Sequence, residues 1–202
     1  MDCAKVGQLI LQLRREKGLT QRQLADTLGI SNKTVSKWEC GRGAPDVSLW
    51  RELSSVLGAD LLRLLQGELA PNRPDAGKMG RMRFYVCPRC GNILTSTGKA
   101  SISCCGRALA PLEAARETGG HRLAAEEMDG EWYVTIQHPM TKGHYIAFAA
   151  CVSDAQVWMH RLYPEQSPAF RLAALPRGAC LYLYCTRHGL FRYAPPFEKP
   201  IF

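Results

Sequence analysis

The sequence predicts a multidomain chain of two unlike parts, an α-helical N-terminal part and a β-rich C-terminal part. Three observations predict this. Apolar residues recur at spacings of three and four from residue 6 to residue 65, which is helical periodicity. Residues 67–80, GELAPNRPDAGKMG, are rich in proline, glycine and charge without periodicity, as expected of a linker. Short alternating or β-rich segments with proline and glycine turns follow, as in a β-sandwich or barrel.

Composition restricts the class of protein further. A hydrophobic content of 46% in 202 residues is ordinary for a globular chain. The longest apolar runs are far shorter than the roughly 20 residues that a membrane span needs, and the N-terminus lacks the apolar core of a signal peptide. We therefore expect a cytoplasmic protein with no membrane contact. A net charge of +8 suits a nucleic-acid partner, but a solvated basic surface gives the same value.

The helical part is expected to contain about five short helices. Thr20 and Gln23 have the spacing of a capping box, which places a helix over residues 21–28. Gly29 then allows a tight turn, and Ser31 is a good N-cap for a second short helix, SNKTVSKWE. Two short helices joined by a glycine turn can present the second helix to the major groove of DNA.

The second helix has an apolar face and a polar face. Val35 and Trp38 are expected to face inward, while the outward side chains carry amide, hydroxyl and ammonium groups suited to base edges and phosphates. Gln21, at the start of the preceding helix, is expected to lie against a phosphate. The candidate DNA-binding residues are Gln21, Asn32, Lys33, Thr34, Ser36 and Lys37. Spacing alone equally allows a helical protein-interaction bundle with a solvated polar face.

The run GLTQRQLADTLGISNKTVSKWECGRGAPD resembles the Xre/Cro-repressor helix-turn-helix family, and the resemblance covers residues 3–66. The matching positions are Thr20-Gln21, Leu24-Ala25, Ile30-Ser31, Trp38-Glu39 and the exit segment 41–45. The resemblance implies a repressor-type five-helix bundle. It also implies binding to a double-stranded DNA operator, usually as a homodimer.

Nine cysteines in a chain without an export signal argue against a disulfide framework, because the cytosol keeps thiols reduced. Cys87 and Cys90 form one pair, Cys104 and Cys105 form a second pair, and 13 residues separate the two pairs. Such pairs can surround one ion, and tetrahedral sulfur coordination suits zinc or iron. The alternative is that these four are ordinary buried or idle thiols.

Histidine spacing indicates a second candidate metal site. His138 and His144 flank the segment HPMTKGH, and His188 follows Cys185 by three residues in CTRHG. A C-x-x-H step can direct a thiolate and an imidazole to the same ion. Taken singly, however, each histidine is more often a hydrogen-bonded core or surface residue.

The segments FYVCPRCGN, CCG, HPMTKGHYI and YCTRHGLF resemble those of desulfoferrodoxin, the two-iron form of superoxide reductase, in the same order across residues 82–193. The resemblance implies a small rubredoxin-like or desulforedoxin-like metal knuckle and an immunoglobulin-like β-sandwich. The knuckle would hold iron, or zinc in its place, through Cys87, Cys90, Cys104 and Cys105. The sandwich would hold a mononuclear catalytic iron through His121, His138, His144 and His188, with Cys185 as the axial thiolate.

One departure from that family concerns the lysine that precedes its first histidine ligand. Gly120 occupies this position, within Thr118-Gly119-Gly120-His121. Loss of the cation is expected to weaken the attraction for superoxide. Lys142 or Arg122 could compensate, although each also suits a plain surface charge.

These observations predict four regions: a helix-turn-helix domain (1–67), a linker (68–81), a four-cysteine metal-binding domain (82–111) and an iron-binding β-sandwich (112–202). The favoured function is a transcriptional regulator whose iron domain senses superoxide or redox state. One alternative is a superoxide reductase with an accessory DNA-binding domain, which would react with superoxide or another small oxidant and take electrons from a rubredoxin-like donor. Another is a repressor whose metal sites are purely structural.

Overall fold

The computed structural model describes residues 2–69, 71–74, 77–116, 120–173, 175–195 and 197. Thr118 and Gly119, in the segment before His121, lie outside this description. The chain divides into two compact units, residues 1–72 and 73–202, called here the N-terminal and C-terminal units. No helix among the described residues is long and apolar enough to cross a membrane.

The N-terminal unit is helical, as the apolar spacing predicts. Its five α-helices are α1 (Cys3–Glu16), α2 (Gln21–Thr27), α3 (Asn32–Glu39), α4 (Trp50–Leu57) and α5 (Leu61–Gln66), with a short 3-10 helix at Val47–Leu49. The predicted capping box at the start of α2 is confirmed, because the Thr20 and Gln23 side chains each accept from the other's backbone N–H. Ser31 caps α3 by accepting from the backbone N–H of Thr34.

Close packing of α3 on α1 depends on a glycine. A Cβ atom on Gly7 would lie 1.9 Å from the carbonyl oxygen of Trp38, so a larger residue would push the two helices apart. Val35 and Trp38 are both buried, as their predicted inward direction requires. The core of the unit therefore lies between α1 and the later helices.

A buried ion pair also joins α1 to α3. The Arg14 guanidinium donates to both carboxylate oxygens of Glu39, from Nε at 2.5 Å and Nη2 at 2.9 Å, and Gln21 Nε2 donates to the same carboxylate at 2.7 Å. Burial alone would raise the pKa of Glu39, but the hydrogen bonds from Arg14 and Gln21 outweigh it and lower the pKa below 4.5. Glu39 is therefore ionised and fixes the C-terminal end of α3.

The C-terminal unit is built from β-strands. A hairpin pairs β1 (Arg83–Val86) with β2 (Ile93–Ser96), and a second pairs β3 (Ile102–Cys104) with β4 (Arg107–Leu109). A three-stranded sheet has the order β10-β7-β6, from β6 (Arg122–Met128), β7 (Glu131–Gln137) and β10 (Ala169–Leu172). A five-stranded sheet has the order β5-β12-β11-β8-β9, from β5 (Ala114–Arg116), β8 (Ile146–Val152), β9 (Val157–Arg161), β11 (Cys180–Cys185) and β12 (Gly189–Tyr193).

The two larger sheets share one core. Val134 and Phe170 of the three-stranded sheet are buried with Ala149, Leu181 and other residues of the five-stranded sheet, so the pair forms a sandwich rather than a barrel. Every residue of β8 is buried, because a second apolar cluster covers the other face of the five-stranded sheet. That cluster joins Phe84 of β1 to Phe148 of β8 and Leu190 of β12.

The Arg14–Glu39 pair generates a stability prediction. We expect Arg14→Met to lower the free energy of unfolding of the helical unit by about 3–5 kcal/mol, because it leaves the Glu39 carboxylate buried without its cation. Circular dichroism at 222 nm during urea unfolding measures this. The matched control is Arg22→Met, whose exposed ion pair with Asp26 spans 4.0 Å and should contribute less than about 0.5 kcal/mol.

The effect should depend on pH. Because the folded-state pKa of Glu39 is lowered, its contribution is complete above 4.5 and is lost as the pH falls through the folded-state value. The difference between wild type and Arg14→Met should therefore shrink in acid. A loss for Arg14→Met no larger than that for the control would contradict the prediction.

Candidate metal centres and nucleic-acid interface

Four cysteine side chains meet between the two hairpins of the C-terminal unit. Cys87 and Cys90 lie on the turn between β1 and β2, while Cys104 ends β3 and Cys105 lies on the turn between β3 and β4. Their sulfur atoms all lie within 4.8 Å of one another, and Cys90 Sγ is 3.6 Å from Cys104 Sγ. Tetrahedral bonds of about 2.3 Å to one ion place neighbouring sulfurs about 3.8 Å apart, so the spacing fits a metal.

The electrostatics of this group oppose ionisation of all four thiols without a cation. Backbone N–H groups of Cys90 and Arg89 lower the pKa of Cys87 to about 6. In contrast, contacts with Cys90, Cys87 and Cys104 raise the pKa of Cys105 to about 12. Four thiolates at this spacing cannot all ionise at neutral pH unless an ion compensates their charge.

Five further donors converge at one end of the sandwich, and strand register places them there. His121 precedes β6 and His138 follows β7, and these strands pair with Arg122 opposite Gln137. Cys185 ends β11, which pairs with the start of β8 and the start of β12. His144 and His188 lie just before those two strands. Each donor thus lies at or next to the end of a strand, and these strand ends lie at the same end of the sandwich.

The four imidazoles form a closed ring. Centroid distances are 4.8 Å for His121–His138, 4.5 Å for His138–His144, 4.8 Å for His144–His188 and 4.8 Å for His188–His121. The donor atoms are Nε2 of three rings and Nδ1 of His188, which lies 3.0 Å from His121 Nε2 and 3.3 Å from His144 Nε2. Cys185 Sγ lies 3.3 Å from His138 Nε2 and 3.5 Å from His188 Nδ1.

These distances suit five ligands of one ion. Two metal–nitrogen bonds of about 2.1 Å at right angles separate the nitrogens by about 3.0 Å, and all five donor atoms lie within 4.8 Å of one another. Burial, assisted by the neighbouring histidines, lowers the pKa of His138 to about 4, and burial also lowers the pKa of His144. Both rings are therefore neutral at pH 7, which is the form that binds metals.

Two aromatic residues that the sequence reasoning missed hold His121 in place. The Phe191 ring stacks on the His121 ring with centroids 4.1 Å apart, and the Tyr193 hydroxyl donates to the His121 carbonyl at 2.5 Å. Both belong to β12, two residues apart, and therefore lie on the same face of the strand. Aromatic residues at alternate positions after the CTRHG segment were the sequence feature that could have identified Phe191 and Tyr193.

Two residues near the donors in the sequence are Lys142, between His138 and His144, and Gly120, directly before His121. Lys142 is exposed and has a carboxylate partner, Glu165, at 3.8 Å. Gly120 has a φ of 96°, and a Cβ atom there would meet no atom of the described residues within 4 Å. The position of the family's lysine is therefore open in space but has a backbone conformation that favours glycine.

The candidate DNA-binding residues lie on the exposed side of α2 and α3, with differences among them. Asn32, Lys33 and Lys37 are exposed, whereas Thr34 and Ser36 are half-buried. Thr34 Oγ1 shares a hydrogen bond of 2.8 Å with Ser31 Oγ. The Gln21 amide has the internal partner Glu39 described above, so its contact with phosphate stays a prediction.

Comparison with known proteins gives two separate likenesses. The Helix-turn-helix family model, HTH_3, matches residues 10–64. An uncharacterized HTH-type transcriptional regulator, y4dJ of Sinorhizobium fredii, is 41% identical over 66 residues, which are 32% of this chain and 86% of that protein. The HTH-type transcriptional activator BcrR of Enterococcus faecalis is 42% identical over 57 residues, and the chain spans only 28% of its length.

The second likeness is to proteins of superoxide chemistry. Desulfoferrodoxin of Clostridium acetobutylicum is 31% identical over 58 residues, 29% of this chain and 46% of that protein. The superoxide reductase of Treponema pallidum aligns with 55% of this chain and 97% of its own, at 20% identity and a TM-score of 0.47. The family model and the desulfoferrodoxin match confirm the predicted resemblance to both families, and the chain belongs to the helix-turn-helix family of transcriptional regulators through residues 10–64.

Proposed function

We propose that this protein is a DNA-binding transcriptional regulator whose C-terminal unit holds iron and senses superoxide or redox state. One observation carries the proposal. A chain with a helix-turn-helix unit also brings four imidazoles and a thiolate within 4.8 Å of one another. A purely structural site is usually closed by four ligands, whereas five donors of this kind suit a metal that changes oxidation state.

The DNA side of the proposal rests on α3. Lys33 and Lys37 are exposed and supply charge for phosphates, and the Asn32 amide suits the edge of an adenine. Thr34, Ser36 and Gln21 would add polar contacts. The operator would be double-stranded DNA, read by a homodimer whose two α3 helices enter successive major grooves.

The metal side assigns Cys87, Cys90, Cys104 and Cys105 to an iron site of four thiolates, or to zinc. His121, His138, His144, His188 and Cys185 would bind a mononuclear iron. We further propose an immunoglobulin-like sandwich and the four-part division 1–67, 68–81, 82–111 and 112–202. The three- and five-stranded sheets around one core support the first.

Sensing requires two states with different affinity for DNA. Bound iron would supply such states by changing between its ferrous and ferric forms. Oxidation would add one positive charge beside Cys185 and His121, which are both buried. Burial strengthens the effect of a charge on its surroundings. We propose that the C-terminal unit changes conformation in response and that DNA affinity changes with it.

Metal analysis gives the first prediction for this proposal. Wild-type protein should bind two metal ions, one for each donor group. Cys105→Ser and Cys185→Ser should each lower this to about one, and each should abolish the visible iron–thiolate band of its own site only. Element analysis with absorption spectroscopy measures both effects. Two variants that lose the same band would contradict the assignment of separate sites.

Sensing itself is tested by DNA affinity. We expect reduced, oxidised and metal-free protein to differ by about 5–150-fold in operator dissociation constant, the usual range of allosteric coupling. Fluorescence anisotropy with an operator selected from random DNA measures it. Equal affinity in all three states would rule out sensing.

Two variants locate the DNA contact. Lys33→Ala should weaken binding in every state and lower the salt dependence by about one charge. Arg177→Ala, which removes an equal charge from an exposed residue of the C-terminal unit, is the matched control. A loss for Arg177→Ala as large as that for Lys33→Ala would contradict the assignment of α3.

An alternative function is superoxide reductase with an accessory DNA-binding domain. His188 is exposed and His138 and His144 are half-buried, so the donor group opens to solvent, and this observation favours access by a small oxidant. Ferrous iron bound there would supply one electron to superoxide, which with two protons gives hydrogen peroxide. A rubredoxin-like donor would return the electron.

Pulse radiolysis of the ferrous protein tests the alternative. Without the family's lysine we expect slow oxidation, and Gly120→Lys should accelerate it by about tenfold at low salt because it adds a cation. Gly120→Ala is the matched control, since it adds the same backbone strain at positive φ without charge. No oxidation by superoxide in either wild type or Gly120→Lys would exclude the reductase.

A further inference from the structure

Arg187 lies inside the turn that carries Cys185 and His188. Its backbone N–H donates to Cys185 Sγ at 3.4 Å, and its side-chain Nε donates to the Gly143 carbonyl at 3.2 Å. Arg187 thus ties the Cys185–His188 turn to the loop between His138 and His144. These two segments supply four of the five donors.

The Gly143 bond determines where the positive charge of Arg187 lies. An exposed arginine is usually free to extend into solvent, but this bond holds the guanidinium beside the loop. A Cβ atom on Gly143 would lie 3.8 Å from Nη2 of Arg187. The guanidinium therefore lies beside the residue that directly precedes His144.

The charge of Arg187 is also uncompensated. Within the described part of the chain its hydrogen bonds and ion pairs include no carboxylate. Lys142, the cation suggested by sequence order, is paired with Glu165 at 3.8 Å. The structure therefore distinguishes Lys142, which has a carboxylate partner, from Arg187, which has none among the described residues.

Given the proposed iron site, we infer that Arg187 is the residue that attracts small anions to the five-donor centre. With a divalent or trivalent ion bound by four neutral imidazoles and one thiolate, the centre would itself be positive, and Arg187 adds charge of the same sign at its edge. Positive potential over an exposed metal favours anionic ligands over neutral ones. Arg187 acts through its charge and position. The contact with Gly143 already orders its long side chain, so anion binding loses less side-chain entropy.

The size of the effect follows from exposure. Arg187 is exposed, so water and salt screen its charge, and only an anion within about 8–10 Å is affected at physiological ionic strength. We therefore expect an effect of several-fold on anion affinity, and we expect added salt to reduce it.

Azide binding to the ferric protein, followed by absorption and expressed per bound iron, tests the inference. Arg187→Gln should raise the azide dissociation constant about three- to tenfold at low salt, and Arg187→Lys should restore it to within about twofold of wild type. Arg177→Gln is the charge-matched control. It lies just before β11, whereas Cys185 ends that strand, so azide affinity should not change.

A second pair of variants leaves Arg187 in place. Gly143→Asp sets a carboxylate beside the guanidinium and should weaken azide binding as Arg187→Gln does, while Gly143→Asn, of equal size and no charge, should not. This pair decides the matter if Arg187→Gln fails to retain iron.

The possible failures are distinguishable. Wild-type protein without iron at the five-donor group would overturn the proposed function and this inference together. Wild-type protein that binds iron, with azide affinities equal in wild type, Arg187→Gln and Gly143→Asp, would overturn only the role of Arg187.

Discussion

The register of the antiparallel strands is the constraint on which the five-donor group depends. Arg122 pairs with Gln137, and Cys185 pairs with both Ile146 and Gly189. These pairings bring the ends of five strands to one end of the sandwich, where the flanking residues form the five-donor group. A shift of one residue in any pairing would turn the side chains to the other face and remove a donor from the group. The shared apolar core of the two sheets fixes that register, because a shifted strand would expose its buried residues.

A close helix contact and a buried ion pair, rather than strand register, position α3. Gly7 permits α3 to approach α1 closely, and the buried Arg14–Glu39 pair then fixes the end of α3. Buried ion pairs contribute little net stability compared with apolar replacements, and their use lies in specifying one arrangement. Here that arrangement leaves Lys33 and Lys37 exposed on the opposite side of the helix. Gln21 joins the same network, which assigns its amide a structural role as well as its predicted phosphate contact.

Charge links the two cysteine-containing groups to what they can bind. Among the four thiols between the hairpins, backbone N–H groups lower the pKa of Cys87. Asn92 donates to Cys104, but contacts with neighbouring cysteines outweigh that bond and raise the pKa values of Cys104 and Cys105. The five-donor group is the opposite case, since burial and neighbouring histidines lower the pKa values of His138 and His144. The four thiols therefore need a cation to ionise together, while His138 and His144 are already in the neutral form that binds metals. Arg187 adds positive charge at the edge of the second group alone.

The sequence by itself determined the features that depend on local chemistry. The capping box at Thr20, the N-cap at Ser31 and the inward direction of Val35 and Trp38 follow from neighbours a few residues apart. The paired cysteines and the C-x-x-H step likewise identified donors by short-range spacing. The short strands β3, β4 and β5 were not predicted, because three residues carry too little periodicity to distinguish a strand from a loop.

Only the tertiary structure decided which distant residues meet. Arg14 and Glu39 are 25 residues apart in the chain, and Tyr193 and His121 are 72 apart. The structure also separated Lys142, which is paired with Glu165, from Arg187, which is anchored to Gly143. Sequence spacing carries no information on such contacts, since packing of whole sheets and helices sets them. The kinds of donor side chain could thus be identified from the sequence, while their assembly into one group required the fold.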